Sequence, residues 1–288
     1  MTVVALGNFD GMHLGHQALI RRTVDLAQTL GATPCVWSFA DAPYPTGRVL
    51  TNAREKQALW EQMGIIHTEF TPFDRVKDMS CQDFVDRILL EHLKACHVVC
   101  GFNYTFGKNA AGNARILGEL LQKRGVGLTV ENAVTLAGAP ISSTRIRTCL
   151  AQGRPQEAAA LLGRPYGLTG PVEHGRALGR SLGFPTLNQA VSPERAPLRR
   201  GVYATRVHTP LGCFPAVTNL GLRPTVKGEG LICESHLLGF SGQLYKETVT
   251  THFLHFLRDE KAFAGLEELK EQIQRDIKEG SDYFEREA

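Results

Sequence analysis

Residues 6–16 read LGNFDGMHLGH and join an apolar run to an amphipathic one. The run Val3–Leu6 has the character of a short strand, and two glycines interrupt it. From Gly15 to Leu30 the apolar residues recur at helical spacing, which predicts a helix. His13 and His16 are therefore expected at the first turn of that helix. There, backbone N–H groups without helical partners and the positive end of the helix dipole attract anions.

This strand, loop and helix have the composition of a triphosphate-binding turn. Gly15 lies between the two histidines and has no side chain, so a phosphate can approach the backbone closely. Two imidazoles at this position can bind phosphate oxygens and stabilise the charge that develops on an attacked phosphorus. One alternative interpretation is two histidines that simply begin a helix. Another is a metal site, but the sequence has no third Cys or His nearby at the spacing of a zinc site.

The stretch strongly resembles the HxGH signature of nucleotidyltransferases and, more narrowly, the opening of bacterial bifunctional riboflavin kinase/FAD synthetases. The resemblance implies two reactions. A C-terminal domain would phosphorylate riboflavin to FMN with ATP, and an N-terminal domain would adenylylate FMN to FAD with release of pyrophosphate. It implies catalytic roles for His13 and His16. ATP binding by the adenylyltransferase is expected to involve Gly7, Phe9, Asp10 and Gly15.

Length and composition indicate an ordinary globular protein with two domains. The chain has 288 residues, of which 43% are hydrophobic and 21% charged. The formal net charge is +3 and is spread evenly, so neither a nucleic-acid polymer nor a membrane surface is expected as a partner. No signal peptide or membrane-spanning run is predicted, and the seven scattered cysteines favour a reduced, cytoplasmic protein. The expected partners are the small molecules riboflavin, FMN and ATP, and an oligomer is compatible with the sequence.

The hydrophobic pattern changes near residue 162. Over 1–162, short strands alternate with amphipathic helices, which is typical of a mainly parallel sheet with helices on both faces. Ligands bind such sheets beyond the carboxyl ends of the strands. The predicted elements are strands Val3–Leu6, Cys35–Phe39, His67–Phe70, His97–Cys100 and Gly127–Glu131, and helices Gly15–Leu30, Arg54–Met63, Ser80–Leu93 and Asn113–Arg124.

Over 163–288, short β runs separated by Gly/Pro turns indicate an antiparallel barrel or sandwich, followed by one long helix. With the resemblance, the predicted class is α/β: a Rossmann-like FMN adenylyltransferase domain at 1–162 and a β-barrel riboflavin kinase domain at 163–288. The predicted β runs are Tyr166–Glu173, Gly201–Val207, Phe214–Leu220, Leu231–Leu238 and Thr248–Leu257, and the helix is marked by Leu266, Leu269, Ile273 and Ile277.

A second anion-binding signal is ISSTRIR at residues 141–147. Its hydroxyl residues open a predicted helix, and capping is the alternative interpretation. Two arginines about one turn later add positive charge that capping does not require. The fragment resembles the ISSTxxR element of the same nucleotidyltransferases, which clamps the β- and γ-phosphates of ATP. The resemblance assigns ATP binding to Ser142, Ser143, Thr144 and Arg147.

Between these motifs, GFNYTFG at residues 101–107 follows a predicted strand. Alternating aromatic and small polar residues can stack on a flat ring and hydrogen-bond its edge. The alternative interpretation is an aromatic loop that packs on the sheet. The segment resembles the flavin site of FAD synthetases, which implies flavin binding by Asn103, Tyr104 and Phe106.

The leading feature of the second half is GRSLGFPTLN at residues 179–188. In extended backbone, Thr186 and Asn188 point to the same side, and their oxygens suit Mg²⁺. The run resembles the riboflavin kinase signature GRxLGFPTxN. The expected ATP-binding residues of the kinase are Gly175, Gly179, Arg180, Gly183 and Asn219.

Glu234 lies in a predicted strand, within CESH. An alcohol that attacks phosphorus loses its proton, so a nearby carboxylate is a natural general base. Without other context, Glu234 would be a solvent-facing strand residue. The family resemblance favours the base, and a second resemblance, LRxExxF, assigns flavin binding in the kinase to Arg258.

Two other functions are compatible with parts of this pattern. An HxGH transferase could act on another phosphate acceptor, such as pantetheine phosphate or nicotinamide mononucleotide, although those enzymes lack a Pro-Thr-x-Asn barrel. A flavin-binding regulator with a decayed kinase half would be non-enzymatic.

Overall fold

The structure is a computed structural model that describes residues 1–40, 48–175, 179, 182–225 and 228–287. The chain folds into two compact units, Met1–Ser143 and Thr144–Ala288. The domain boundary that we place after residue 162 remains a prediction. The first unit ends earlier than that boundary because the helix Pro155–Leu162 packs against strands of the second unit.

The first unit is built on a parallel sheet, as predicted. Its strands, in chain order, are β1 (Thr2–Leu6), β2 (Thr33–Phe39), β3 (His67–Thr71), β4 (Ala95–Gly101), β5 (Thr105–Phe106), β6 (Gly112–Asn113), β7 (Gly127–Glu131), β8 (Thr135–Leu136) and β9 (Ala139–Pro140). Five of them form a sheet in the order β3-β2-β1-β4-β7, and every neighbouring pair in it is parallel. All five predicted strands lie within these bounds.

Helices cover both faces of the sheet, which confirms the predicted layering. They are α1 (Leu14–Leu30), α2 (Ala53–Gln62), α3 (Phe73–Val76), α4 (Cys81–Asp83) and α5 (Ala114–Gln122). On one face, Ile20 and Trp60 are buried in a core cluster with strand residues, and on the other, Phe84 and Leu117 are buried in a second cluster.

The predicted helix Ser80–Leu93 differs from expectation in its winding. Only Cys81–Asp83 is α-helical, and Phe84–His92 is a π-helix. Apolar spacing in the sequence shows that a helical face is buried, but it does not distinguish an α-turn from the wider π-turn. Within the described residues, no helix combines the length and apolar character that crossing a membrane requires.

The second unit contains the predicted antiparallel barrel and long closing helix. The elements from Ser143 onward are α6 (Ser143–Ala151), α7 (Pro155–Leu162), β10 (Tyr166–Pro171), β11 (Leu187–Val191), β12 (Gly201–Thr209), β13 (Gly212–Thr225), β14 (Gly228–Leu237), β15 (Thr248–Arg258) and α8 (Leu266–Glu287). The sheet order is β10-β15-β12-β13-β14-β11. Its two end strands meet where Glu173 pairs with Asn188, with a backbone hydrogen bond of 2.8 Å, so the barrel is nearly closed.

Strand β11 was not among the predicted β runs, although its segment was expected to be extended. Its residues Asn188 and Gln189 are both buried, so no alternation of polar and apolar residues marks the strand. The Gln189 amide nitrogen donates to the carbonyls of Gly170 and Val249, at 3.2 and 3.1 Å. These partners stabilise a buried polar side chain that the sequence pattern could not explain.

Candidate functional site

The loop between β1 and α1 brings the two predicted histidines together at the carboxyl edge of the parallel sheet. His13 caps α1, and its Nδ1 accepts a hydrogen bond from the His16 backbone N–H at 3.3 Å. The two imidazole rings stack, with centroids 3.6 Å apart and planes inclined by 16°. The helix start therefore presents a paired imidazole surface beside its backbone N–H groups.

Both histidines are neutral at neutral pH. Burial lowers the pKa of His13 to about 4. Burial, followed by electrostatic interaction with His13 and with the Lys56 amine, lowers the pKa of His16 well below its usual value. Because Nδ1 of neutral His13 accepts a hydrogen bond, its proton is on Nε2, which makes Nε2 a donor.

His16 carries a buried polar atom that the described structure does not satisfy. Its Nδ1 is inaccessible to solvent and has no hydrogen-bond partner. Buried polar atoms are nearly always paired, and an exception calls for a ligand or a functional reason. A bound ligand or a bridging water would satisfy it, as donor or acceptor according to the tautomer of the ring.

Asp10, predicted to bind ATP, is buried within the loop. Its Oδ1 accepts the backbone N–H groups of Leu50 and Thr51, at 2.9 and 3.1 Å. The Thr51 hydroxyl in turn accepts the Gly11 N–H at 2.9 Å. Ser143 donates its hydroxyl to the Asp10 carbonyl at 2.8 Å. Asp10 therefore holds the loop against two segments that are distant in sequence.

The loop backbone is strained next to the histidines. Phe9 and Met12 both adopt left-handed φ angles, 54° and 47°, which residues with side chains seldom do. The Phe9 ring is buried and makes an edge contact with His16, with centroids 5.4 Å apart. A Cβ on Gly7 would lie 3.0 Å from this ring, and a Cβ on Gly15 would lie 3.2 Å from the His13 ring. Both glycines thus leave room for aromatic rings.

The ISSTRIR segment occupies a helix start, as predicted. Ser142 directly precedes α6, and Ser143 and Thr144 are its first two residues. Arg147 lies one turn further on, and both Ser142 and Arg147 are half-buried. Thr144 and Arg147 belong to the second unit, because the first unit ends within this first turn.

The predicted flavin loop places its three candidates differently. Asn103 is exposed directly beyond the carboxyl end of β4. Phe106 is buried in the core, where it contacts Phe84 with ring centroids 5.4 Å apart. Tyr104 stacks on Phe106 at 5.9 Å, and burial raises the pKa of its phenol. The aromatic pair thus packs on the sheet, and Asn103 alone of the three is exposed.

Lys56 is a residue that motif analysis missed. It lies on α2, is 5% exposed, and donates its Nζ to the Asn8 carbonyl at 3.1 Å. Burial lowers its pKa to about 8, although the charge of Asp10 acts in the opposite direction. The signal was present in the sequence, because Lys56 precedes the core residue Trp60 by four positions and so shares its helix face.

In the second unit, a row of side chains crosses the barrel wall. Asn188 on β11 pairs with Glu234 on β14, and Glu234 pairs with Asn219 on β13. Asn219 pairs with Val202, and Val202 with Arg258. Directly paired residues of neighbouring strands project from the same face of a sheet. The barrel therefore aligns four polar residues that are far apart in sequence.

This row lines a cleft of about 400 Å³ between the barrel wall and α8. Gly179 and Thr186 also line the cleft. The apolar side of the cleft combines barrel and helix residues, which are Leu182, Phe184, Val202, Val217, Leu222, Ile232, Phe263, Leu269, Ile273 and Ile277. A flat apolar molecule with a polar tail fits this distribution.

Asn188 has an unsatisfied oxygen in this cleft. The Asn188 side chain is buried, and its Oδ1 has no hydrogen-bond partner. A Cβ on Gly175 would lie 2.4 Å from the Asn188 Nδ2, so that glycine is required by the position of the amide. The half-buried Thr186 lies two residues earlier, and Gly183 adopts a φ of 90° between Leu182 and Phe184. The predicted Arg180 lies outside the described residues.

Arg258, predicted to bind flavin, is engaged with α8. Its Nε and Nη2 donate to the two carboxylate oxygens of Asp276, at 2.7 and 2.6 Å. Asp276 is 4% exposed and also accepts from Gln272 at 2.9 Å. This bidentate pair joins the barrel wall to the helix that covers the cleft.

Comparison with known proteins identifies similar sequences over both units. A family model described as FAD synthetase matches residues 1–145, and one described as riboflavin kinase matches residues 162–284. A protein of Pseudomonas fluorescens named bifunctional riboflavin kinase/FMN adenylyltransferase is 39% identical over 287 residues, covering 96% of this chain and 90% of that protein. Proteins of the same name from Haemophilus influenzae and Escherichia coli K12 are 34% and 33% identical, each covering 98% of this chain and 94% and 92% of their own lengths.

A solved structure has a similar fold. The crystal structure of a protein described as a macrolide-efflux protein from Streptococcus pneumoniae matches with a TM-score of 0.84 at 28% identity. The match covers 96% of this chain and 92% of that chain. Its description differs from the name that the sequence relatives share.

Proposed function

This chain belongs to the family of bifunctional riboflavin kinase/FMN adenylyltransferases, and from that premise we propose which of its residues carry each reaction. The C-terminal half phosphorylates riboflavin to FMN, and the N-terminal half adenylylates FMN to FAD. ATP is the co-substrate of both steps. The assignments below rest on the paired histidines of the first unit and the polar row of the second.

In adenylyl transfer, an FMN phosphate oxygen attacks the α-phosphorus of ATP. The bond between the α-phosphorus and the oxygen that bridges to the β-phosphorus breaks, and pyrophosphate leaves. The attacking phosphate is already a nucleophile, so this step needs no base. His13 donates from Nε2 to a phosphate oxygen, and His16 binds beside it at the start of α1. Ser143, Thr144 and Arg147 are assigned to the departing pyrophosphate by the ISSTxxR resemblance.

The remaining predicted residues of the first unit have supporting roles in this proposal. Asp10 positions the loop through Leu50 and Thr51. Gly7 leaves room for the buried Phe9 ring, and Gly15 leaves room for the His13 ring. Asn103 contacts the flavin directly, whereas Tyr104 and Phe106 support its loop from the core.

ATP binding at the histidines is expected to take up protons. The free protein holds His13 with a pKa of about 4, and the negative charge of a triphosphate raises that pKa in the complex. Because the pKa of His13 is higher in the complex, the affinity for ATP should increase as the pH is lowered from the pKa of the complex to that of the free protein. Calorimetry in buffers of different ionisation enthalpy measures the uptake. H13N is the reference. Subtracting its proton uptake from that of the wild type removes the contributions of ATP itself and of the second ATP site, which the two proteins share. Equal uptake by both proteins would contradict the prediction.

In the kinase reaction, Glu234 accepts the proton of the ribityl 5′-hydroxyl. The hydroxyl oxygen then attacks the γ-phosphorus, and ADP leaves. Glu234 is central in the polar row and lines the cleft with Asn188 and Asn219 on either side. The apolar wall of the cleft accommodates the isoalloxazine ring. Arg258 stabilises the wall of the cleft by pairing with Asp276. Arg258 also lines the cleft, where it makes the predicted contact with the flavin.

The residues of the cleft fit a magnesium ion. Asn188 offers a buried amide oxygen without a partner, and Thr186 offers a hydroxyl oxygen in the same cleft. Oxygen donors of this kind suit Mg²⁺, which takes its other ligands from phosphates and water. The bound ion would neutralise phosphate charge. The resemblance assigns Gly175 and Gly179 to the phosphate chain. A Cβ on Gly175 would lie 2.4 Å from the Asn188 Nδ2 and one on Gly179 would lie 2.4 Å from the Phe184 carbonyl oxygen, so neither position admits a side chain.

Replacing Asn188 by alanine is expected to raise the Mg²⁺ concentration needed for half-maximal FMN formation about tenfold or more, because one direct ligand is lost. Purified protein is incubated with riboflavin, ATP and graded Mg²⁺, and the flavins are separated by chromatography. T169A is the control, since Thr169 is an exposed threonine of the same barrel outside the cleft. An unchanged Mg²⁺ dependence in N188A would remove Asn188 as a ligand.

The products formed by the wild-type protein in the same assay also test the alternative functions, because a flavin-binding regulator would yield neither FMN nor FAD.

A further inference from the structure

Lys56 is a buried cation that neither proposed reaction uses. A lysine that is only 5% exposed is uncommon unless its amine has defined partners. An uncharged side chain at position 56 would suit an apolar core equally well. The contacts of the amine therefore indicate why a charge is kept at this position of α2.

The amine contacts the loop that carries the histidines. Its Nζ donates to the Asn8 carbonyl at 3.1 Å. It also lies over the rings of Phe70 and Trp60, 5.6 and 5.9 Å from their centroids, within the range of a cation–π interaction. The Trp60 indole donates to the Met12 sulfur at 3.0 Å, so a second contact reaches the same loop.

The buried charge of Lys56 interacts with titratable groups of the histidine site. Two titratable groups interact with it electrostatically, Asp10 in the loop and His16 on α1. Asp10 favours the charged amine, and the charged amine disfavours protonation of His16. With a pKa of about 8, most of the amine is protonated at neutral pH.

We propose that Lys56 is a positioning residue for adenylyl transfer, holding the Asn8 carbonyl and supplying fixed positive charge behind the paired histidines. Preorganised charge of this kind stabilises negative charge that develops during phosphoryl and nucleotidyl transfer. The inference rests on the proposed roles of His13 and His16.

The test compares K56M, which removes the charge but keeps an unbranched chain, with K56R, which keeps the charge. FAD formation from FMN and ATP, and FMN formation from riboflavin and ATP, are measured on the full chain from pH 6 to about 10. We expect kcat for FAD formation to fall about tenfold or more in K56M, with FMN formation unchanged. We expect the pKa of His16, measured by NMR, to rise in K56M. K123M, which alters an exposed lysine, is the control.

K56R keeps the inference testable even if K56M fails to fold. In the wild type, FAD formation should decline above about pH 8 as Lys56 loses its proton. Arginine does not deprotonate in this range, so K56R should keep its activity to higher pH. An alkaline decline that is the same in both proteins would overturn the inference, as would wild-type kcat in a folded K56M. If H16A keeps FAD formation, the proposed role of His16 is wrong. If H16A loses it while K56M is unaffected, only the role of Lys56 is wrong.

Discussion

Replacing His16 by alanine is expected to abolish FAD formation and to leave FMN formation intact. The variant removes half of a stacked imidazole pair at the start of α1, together with a ring nitrogen that has no partner in the described structure. Loss of a preorganised donor to a transition-state charge lowers kcat by about 10²–10³. The measurement is the rate of FAD formation from FMN and ATP, with FMN formation from riboflavin in the same preparation as an internal reference.

H67A is the matched control for this variant. His67 is an exposed histidine on β3 and lies outside the loop, so its loss should change neither reaction. Circular dichroism of H16A would show whether the first unit remains folded. If folded H16A lost both activities, the separation of the two reactions between two sites would be contradicted. If it lost neither, His16 would not be part of the adenylyltransferase site.

Replacing Glu234 by glutamine should have the converse effect. Glutamine keeps the size and hydrogen-bonding reach of Glu234 between Asn188 and Asn219 but cannot accept a proton as a general base. General-base catalysis contributes about 10²–10⁴ to a rate, and kcat for FMN formation should fall by that order. FAD formation from added FMN should be unchanged, since its proposed catalytic residues His13 and His16 lie in the other unit.

The control for this variant is E285Q, which alters an exposed carboxylate of α8. A KM for riboflavin close to that of the wild type would show that E234Q affects the chemical step rather than the binding of flavin. Wild-type kcat in E234Q would remove Glu234 as the base. Aspartate at this position provides a second test, because a shortened base should retain part of the activity that glutamine loses.

Much of the fold could be predicted because its signals are local. The alternation of strands and helices in the first half, and the short β runs of the second, repeat over a few residues and survive in any tertiary context. The predictions failed where local periodicity carries no information. Strand β11 contains two buried polar residues, and the segment Phe84–His92 is a π-helix that apolar spacing does not distinguish from an α-helix.

Part of the candidate site was also local. His13 and His16 are three residues apart at a helix start, so their proximity follows from the predicted helix. Their neutral state did not follow, because it depends on how deeply the folded chain buries the two rings. The same holds for Phe106, because the pattern of the aromatic loop does not specify that its ring is buried in the core.

By itself, the sequence determined the order of the elements, the class of both halves and the motifs at their helix and strand ends, since each of these is encoded within a short window. Tertiary structure alone decided that Asp10 binds the backbone near residue 50, that Lys56 reaches Asn8, and that Asn188, Glu234 and Asn219 form one row. Such contacts join segments that lie tens of residues apart in the chain. Register, burial and the resulting pKa values are properties of the packed chain, and no local pattern of residue types specifies them.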